Sequence, residues 1–199
     1  MFELLEIEAA LDAATLERIR GEMRAADGVP ARVTGAGADS GPAAAPSVRR
    51  ATRVAVSDSS RAAVRRMLEE QRPRMETRFG RPLNSCEEPQ FLRYGPGDHF
   101  VAHQDGNTPL IRDDSRFRKV SVVIFLSEQS EHPAPYVYCG GSLVLHGPFP
   151  SEKRMSLAPA AGTLVAFPSE TTHEVAPIIH GERLSIVSWY RAEAGASAA

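Results

Sequence analysis

The chain has 199 residues and a formal net charge of −2; 42% of it is hydrophobic and 24% charged. That length supports one domain with a full core, and the balance gives no broad electrostatic case for nucleic acid or an anionic membrane as partner. No apolar run approaches the roughly 20 residues of a spanning helix, and the acidic start Met1-Phe2-Glu3-Leu4-Leu5-Glu6 lacks the positive charge of a signal peptide.

Residues 12–26 predict an amphipathic helix, with Leu16, Ile19 and Met23 at i, i+3 and i+7 and charged residues between them. Residues 28–47 are rich in Gly, Pro and Ala and have no face to bury, so they read as a mobile loop. A second helix is expected from the N-cap cluster Ser57-Asp58-Ser59-Ser60, with Val64, Met67, Leu68 and Met75 on its apolar side. Pro73 should kink or split it, and Gly80 should end it.

From residue 90 the apolar period changes from helical to alternating. Strands are expected at 90–94, 100–105, 119–126, 142–145, 155–157, 163–167, 173–179 and 183–190. Short strands with no helix between them indicate a sandwich or barrel of the jelly-roll type. The run Val120–Leu126 is apolar almost throughout and should be covered on both faces, with the N-terminal helices as one cover. The connections 106–118 and 127–139 are long enough to carry substrate contacts, and Tyr136 and Tyr138 read as exposed. Cys86 and Cys139 read as free thiols in a reducing cytoplasm, with Cys139 a small hydrophobe at the Gly140-Gly141 turn.

Chemistry centres on His103-x-Asp105. In a strand, residues two apart share a face, so an imidazole and a carboxylate project side by side. Thr172-His173-Glu174 offers a second histidine at a strand start. Two histidines and one carboxylate suit non-haem Fe(II), because they leave adjacent positions open for a co-substrate and oxygen. Ten residues after His173, Arg183, Ser185, Val187 and Trp189 share one face of a strand. If that face points inward, a guanidinium enters the core, where a small dicarboxylate is its economical partner. No His-Glu-x-x-His helix is present to suggest a zinc hydrolase, and a silent jelly-roll binding module need not keep all four groups. Arg93 reads as structural. Trp189 reads as core near the pocket, His99 as an edge histidine, and His132, His146 and His180 as solvated.

Residues 90–191 resemble the Fe(II)/2-oxoglutarate-dependent oxygenases, in particular their prolyl-4-hydroxylase-like branch. The resemblance rests on Arg93-Tyr94-x-x-Gly97-Asp98-x-x-x-x-His103-x-Asp105, Gly140-Gly141-x-Leu143, Gly162-x-Leu164-x-x-Phe167, His173-x-Val175 and Gly181-x-Arg183. It implies a mainly β fold with N-terminal helices, a double-stranded β-helix (jelly roll) supported by two or more α-helices. The whole chain would form one oxygenase domain: helical support and flexible loop over 1–89, catalytic core over 90–191 and a disordered tail over 192–199. It further implies that His103, Asp105 and His173 hold Fe(II). Arg183, helped by Ser185 and the Tyr94 hydroxyl, would hold the distal carboxylate of 2-oxoglutarate. O2 would be the oxidant, with ascorbate as an accessory reductant. Arg183 stands where collagen-type enzymes have lysine, which bears on subfamily. Asp105 argues for hydroxylation, since halogenating relatives lack that carboxylate. The expected product is a hydroxylated prolyl or other peptidyl residue; the alternative substrate is a free amino acid or small metabolite.

Overall fold

A computed structural model describes residues 2–31, 47–109 and 113–192. The glycine- and alanine-rich stretch 32–46, most of the loop expected over 28–47, lies outside the described residues, as do 110–112 and the tail beyond residue 192.

In chain order the elements are β1 (Leu5–Ile7), α1 (Ala13–Ala25), β2 (Gly28–Pro30), β3 (Arg49–Arg50), β4 (Thr52–Val54) and α2 (Asp58–Phe79). Then follow β5 (Gln90–Tyr94), β6 (His99–His103), a 3₁₀ turn (Asp114–Phe117), β7 (Arg118–Phe125), β8 (Glu128–Gln129) and β9 (Val137–Gly140). The chain closes with β10 (Leu143–His146), β11 (Arg154–Leu157), β12 (Leu164–Pro168), β13 (His173–Val175), β14 (Ile178–His180) and β15 (Arg183–Arg191). A major sheet runs β1-β12-β7-β15-β5-β4-β2, a minor sheet runs β11-β10-β13-β6-β3, and β14-β9-β8 form a smaller third piece.

Both helices are set by their ends. Asp12 accepts from the Thr15 amide at 2.9 Å, and Ser57 accepts from the Ser60 amide at 3.2 Å. Gly80 closes α2 with φ 59, a left-handed cap that suits glycine. The Glu22 carboxylate of α1 accepts from the Ser57 amide and from the Ser57 and Ser60 hydroxyls, tying the start of α2 to α1. The helix α2 runs unsplit through Pro73. Pro73 is exposed, so its ring meets no packed neighbour that would force a break. Among the described residues no helix is long and apolar enough to cross a membrane.

The major sheet is covered on both faces, as the apolar run of β7 implies. On one side Leu16, Ile19 and Met23 of α1 and Val64, Leu68 and Met75 of α2 pack with Val120, Val122, Ile124, Leu184 and Ile186. On the other, Val123, Phe125, Val165 and Phe167 meet Leu143 and Leu145 of the minor sheet. Alternation along β15 therefore sends Leu184 and Ile186 to the helices, while Arg183 and Ser185 enter the sandwich at 1% and 0% exposure.

Several expectations are corrected. The N-terminal 89 residues supply four strands besides the helices: β1, β2 and β4 extend the major sheet and β3 the minor one. The stretch read as loop from residue 28 opens with β2, paired to β4. The connection 127–139 contains β8 and the start of β9, which pair in parallel. The strand expected over 173–179 breaks at Ala176-Pro177 into β13 of the minor sheet and β14 of the third piece. Proline cannot donate to a ladder, so a sheet change there leaves no hydrogen bond unmade.

Candidate functional site

His103 ends β6, and His173 begins β13 directly opposite it in the antiparallel register. Asp105 lies two residues past His103, where its amide donates to the Ser169 carbonyl at 2.9 Å. That bond turns the chain so that one carboxylate oxygen is 3.5 Å from His103 Nε2 and the other 3.4 Å from His173 Nε2. One donor atom from each of the three residues lies within 4.8 Å of the others, the spacing of ligands around a single ion.

The ring orientations are held from behind. His103 Nδ1 bonds the Val101 carbonyl at 2.8 Å, and His173 Nδ1 bonds the Thr171 carbonyl at 2.9 Å. A ring nitrogen that donates to a carbonyl leaves the other nitrogen with a free lone pair, here the Nε2 atoms facing Asp105. Phe100 stacks on His103 with centroids 3.5 Å apart, and Phe167 meets His173 edge-on at 4.8 Å. Ser121 donates to Asp105 Oδ2 at 2.7 Å.

Burial by itself pushes the Asp105 carboxyl up. The His173 and His103 imidazoles and the hydrogen bonds around it outweigh that and hold it well below the usual carboxylate range. Burial pushes His173 down to about 4, against the pull of Asp105. At neutral pH the pocket thus offers an anionic carboxylate and a neutral His173 imidazole, the donor states a divalent cation requires. Two nitrogens and one carboxylate, with no thiolate, fit Fe(II) with open positions.

A second polar cluster lies in the same sandwich. Arg183 begins β15, pairs in register with Tyr94, and is 1% exposed. Its Nη1 donates to Ser185 Oγ at 3.0 Å, while Nε and Nη2 have no partner. No carboxylate pairs with it among the described residues. The Tyr94 and Phe125 rings flank the guanidinium at 5.4 and 5.2 Å. Buried, unsatisfied donors on a full positive charge are costly unless an anion fills the space before them. A planar carboxylate matches the guanidinium fork.

Sequence reasoning missed Tyr138. It was read as exposed with Tyr136, yet Tyr138 is fully buried and only Tyr136 is exposed, at 84%. Its hydroxyl has no hydrogen-bond partner and stands within reach of Arg183, which partly offsets the upward push of burial on its ionisation. Parity gave no signal, since residues two apart are expected on one face; Tyr136 precedes β9 and has φ 66, which breaks the alternation and separates it from Tyr138. Gly141, with φ 65, makes room beside Tyr138, since a Cβ there would stand 3.2 Å from the Tyr138 ring and 2.2 Å from Ile178.

Other residues fall as follows. Arg93 donates to the Met23 carbonyl at 3.0 Å and is structural. His132 and His180 are exposed, but His146, expected to be solvated, is partly buried with Nε2 3.5 Å from Glu174. Leu145, its neighbour on β10, is in register with His173, which draws His146 into the sheet. His99 stays at the margin, its Nδ1 3.2 Å from the Gly97 carbonyl.

The sequence model of the 2OG-Fe(II) oxygenase superfamily matches residues 89–191. A PKHD-type hydroxylase of Shewanella oneidensis is 36% identical over 101 residues, covering 51% of this chain and 41% of that protein. A PKHD-type hydroxylase of Nitrosomonas eutropha is 34% identical over 100 residues, covering 49% and 40%. The chain thus spans about two-fifths of the length of these curated relatives. Among solved structures, a Pseudomonas putida prolyl-4-hydroxylase superimposes with a TM-score of 0.72 at 23% identity, over 98% of this chain and 95% of that one. A Trichoplax adhaerens prolyl hydroxylase in complex with a hypoxia inducible factor peptide fragment gives 0.69 at 16%, over 95% and 83%. HygX of Streptomyces hygroscopicus, with nickel, 2-oxoglutarate and hygromycin B bound, gives 0.63 at 16%, over 96% and 83%. At these identities the structural likeness is one of fold.

Proposed function

The chain belongs to the 2OG-Fe(II) oxygenase superfamily, whose members work with Fe(II), 2-oxoglutarate and O2, and on that premise we propose that it hydroxylates an unactivated C–H bond of a prolyl or other peptidyl residue. In this reading His103 and His173, through Nε2, and Asp105, through its carboxylate, hold the iron. Arg183, Ser185 and the Tyr94 hydroxyl, joined by Tyr138, hold the distal carboxylate of 2-oxoglutarate. The observation that carries the reading is the pairing of two polar clusters in one sandwich: three convergent ligand atoms, and a buried guanidinium with two donors that no described residue satisfies.

Iron with 2-oxoglutarate and O2 supplies the oxidising power that places one oxygen atom in the substrate C–H bond as 2-oxoglutarate becomes succinate and carbon dioxide. The protein's own part is to hold and orient. Ser121 keeps the Asp105 carboxylate turned toward the imidazoles. The Tyr94 and Phe125 rings keep water from the guanidinium, so its pairing with a carboxylate is worth more than in solvent. Phe100 and Phe167 fix the imidazole planes, so the open side of the site has one geometry.

A peptide substrate is favoured by the exposure of β6. His103 keeps 19% of its side-chain surface open, and Val101 and Ala102 just before it are exposed. Among the described residues the site therefore opens along a strand, which suits an extended chain.

The test is succinate formation by the purified full chain with Fe(II) and 2-oxoglutarate, against Asp105→Ala. Candidate peptides and amino acids are then screened for a mass gain of one oxygen. Absence of both 2-oxoglutarate binding and iron-dependent succinate would defeat the proposal. A mass gain confined to free amino acids or small metabolites would defeat the peptide assignment alone.

A further inference from the structure

Asp105 is the one ligand of the triad that does not sit in a strand, so its position must be imposed from outside its own ladder. Ser121 of β7 supplies one restraint, a hydroxyl 2.7 Å from Oδ2. Directly across the ladder from Ser121 stands Trp189 of β15. Its indole Nε1 is buried and has no hydrogen-bond partner among the described residues.

Something must hold that indole in place. The guanidinium of Arg118 lies over it at 3.8 Å from the ring centroid. Arg118 is gripped in turn by Glu87, Nε to Oε1 at 2.8 Å and Nη2 to Oε2 at 2.7 Å, a bidentate pair. Its remaining Nη1 lies 3.5 Å from the Asp105 backbone carbonyl. Glu87 is locked to β15 as well: its amide donates to the Trp189 carbonyl at 2.8 Å, and its carbonyl accepts from the Ser188 hydroxyl at 2.6 Å.

A mostly buried ion pair is weak evidence of stability, because well-packed apolar residues of the same volume often do as well or better. Apolar residues could not do the two directional things that Arg118 does, which are to face a π-surface and to aim an N–H at the Asp105 carbonyl. We propose that Arg118, clamped by Glu87 and stacked on Trp189, is a positioning residue that sets the Asp105 ligand through the Asp105 backbone. The proposal rests on the reading of Asp105 as an iron ligand. Arg118 itself touches neither metal nor co-substrate in this assignment.

The experiment uses the full chain and four forms: wild type, Arg118→Met, Trp189→Leu and the double variant. Two quantities are read under anaerobic conditions, the Fe(II) dissociation constant and the visible charge-transfer band of the Fe(II)–2-oxoglutarate complex. Each single variant should weaken Fe(II) binding by about 10-fold, as the loss of a ligand-orienting partner does, and should shift the band. The double variant should be no more than about 2-fold worse than either single one, because both act along one chain of contacts. Trp189→Leu removes the π-face that seats the guanidinium and leaves Arg118 itself in the chain, so it carries the test if Arg118→Met fails to fold. Wild-type affinity and band in a variant that has merely lost thermal stability would show an ordinary structural ion pair and overturn the proposal. Losses that multiply in the double variant would overturn it too. A wild type that shows neither Fe(II) binding nor the band would instead remove the functional reading, and this proposal with it.

Discussion

The Tyr138 hydroxyl and the Arg183 guanidinium come within reach of each other inside the sandwich, and each retains a buried polar group that no other described residue satisfies. Tyr138 arrives on β9 of the small third sheet and Arg183 on β15 of the major sheet. Two orphaned groups from separate sheets that converge on one space describe a binding pocket better than a packing fault, since buried polar groups are otherwise satisfied.

Removing the guanidinium should therefore help the empty protein and harm the loaded one. Arg183→Met is expected to leave the ligand-free stability unchanged or raise it by about 1–3 kcal/mol, as an uncompensated buried charge is lost. The wild type should gain about 2.7 kcal/mol from 2-oxoglutarate at 100 times its Kd, and the variant should gain almost nothing. Thermal melts with and without 2-oxoglutarate check both halves; a destabilised apo variant that still responds to the ligand contradicts them.

For Tyr138→Phe the effect is smaller and selective. A hydrogen bond to a charged group is worth about 1.5 kcal/mol at the lower end, so 2-oxoglutarate should bind about 10-fold more weakly. Iron affinity in the absence of 2-oxoglutarate should not move, because Tyr138 is not among the three convergent donors. Titration calorimetry of the two ligands separates these outcomes.

Gly141→Ala should act on the same pocket from behind. The residue has φ 65, and its new Cβ would meet Ile178 at 2.2 Å and the Tyr138 ring at 3.2 Å. We expect a loss of about 1–3 kcal/mol in stability from the strained backbone, with weaker 2-oxoglutarate binding as Tyr138 shifts. Unchanged affinity in a folded variant would show that Tyr138 has no role in the pocket.

The metal-free protein should lose stability in mild acid through His173. Burial lowers its pKa from 6.5 to about 4, so between those values the unfolded chain binds the extra proton and the native state does not. Stability is then full above about pH 6.5 and declines as pH falls toward 4, by an amount on the order of 3 kcal/mol at 1.36 kcal/mol per unit. Asp105, held well below its ordinary value of 3.8, adds to the loss only below about pH 5, where the unfolded carboxyl begins to protonate. Denaturant melts of wild type and His173→Gln across this window provide the check, and the variant's curve should be flatter.

Much of this was legible from residues alone, where the signal is local. The caps at Asp12, Ser57 and Gly80 act within one helical turn, and they bound α1 and α2 where expected. Strand parity sent Arg183 and Ser185 inward and Leu184 and Ile186 to the helices, because side chains alternate whatever the partner strand is. His103-x-Asp105 offered two candidate ligands by the same rule, but β6 ends at His103, and the Asp105 carboxylate reaches the imidazoles because its amide bonds the Ser169 carbonyl and its Oδ2 accepts from Ser121. The strands β1 to β4 and β8 escaped notice because pieces of two or three residues contain no full alternation, and they exist only where a neighbouring strand offers its free edge.

Packing alone decided the rest. Tyr138 became part of the pocket because β9 folds into a third sheet beside β14, a choice made by contacts far from it in sequence. Glu87 and Arg118 stand 31 residues apart, and Trp189 is further still, so no window of sequence could show them stacked beside Asp105. Short-range chemistry was sufficient to single out His103 and His173 and to aim Arg183 inward, because backbone geometry alone aims a side chain within a strand. Which groups support those residues depended on sheet order and register, which are settled only when the whole core is buried at once.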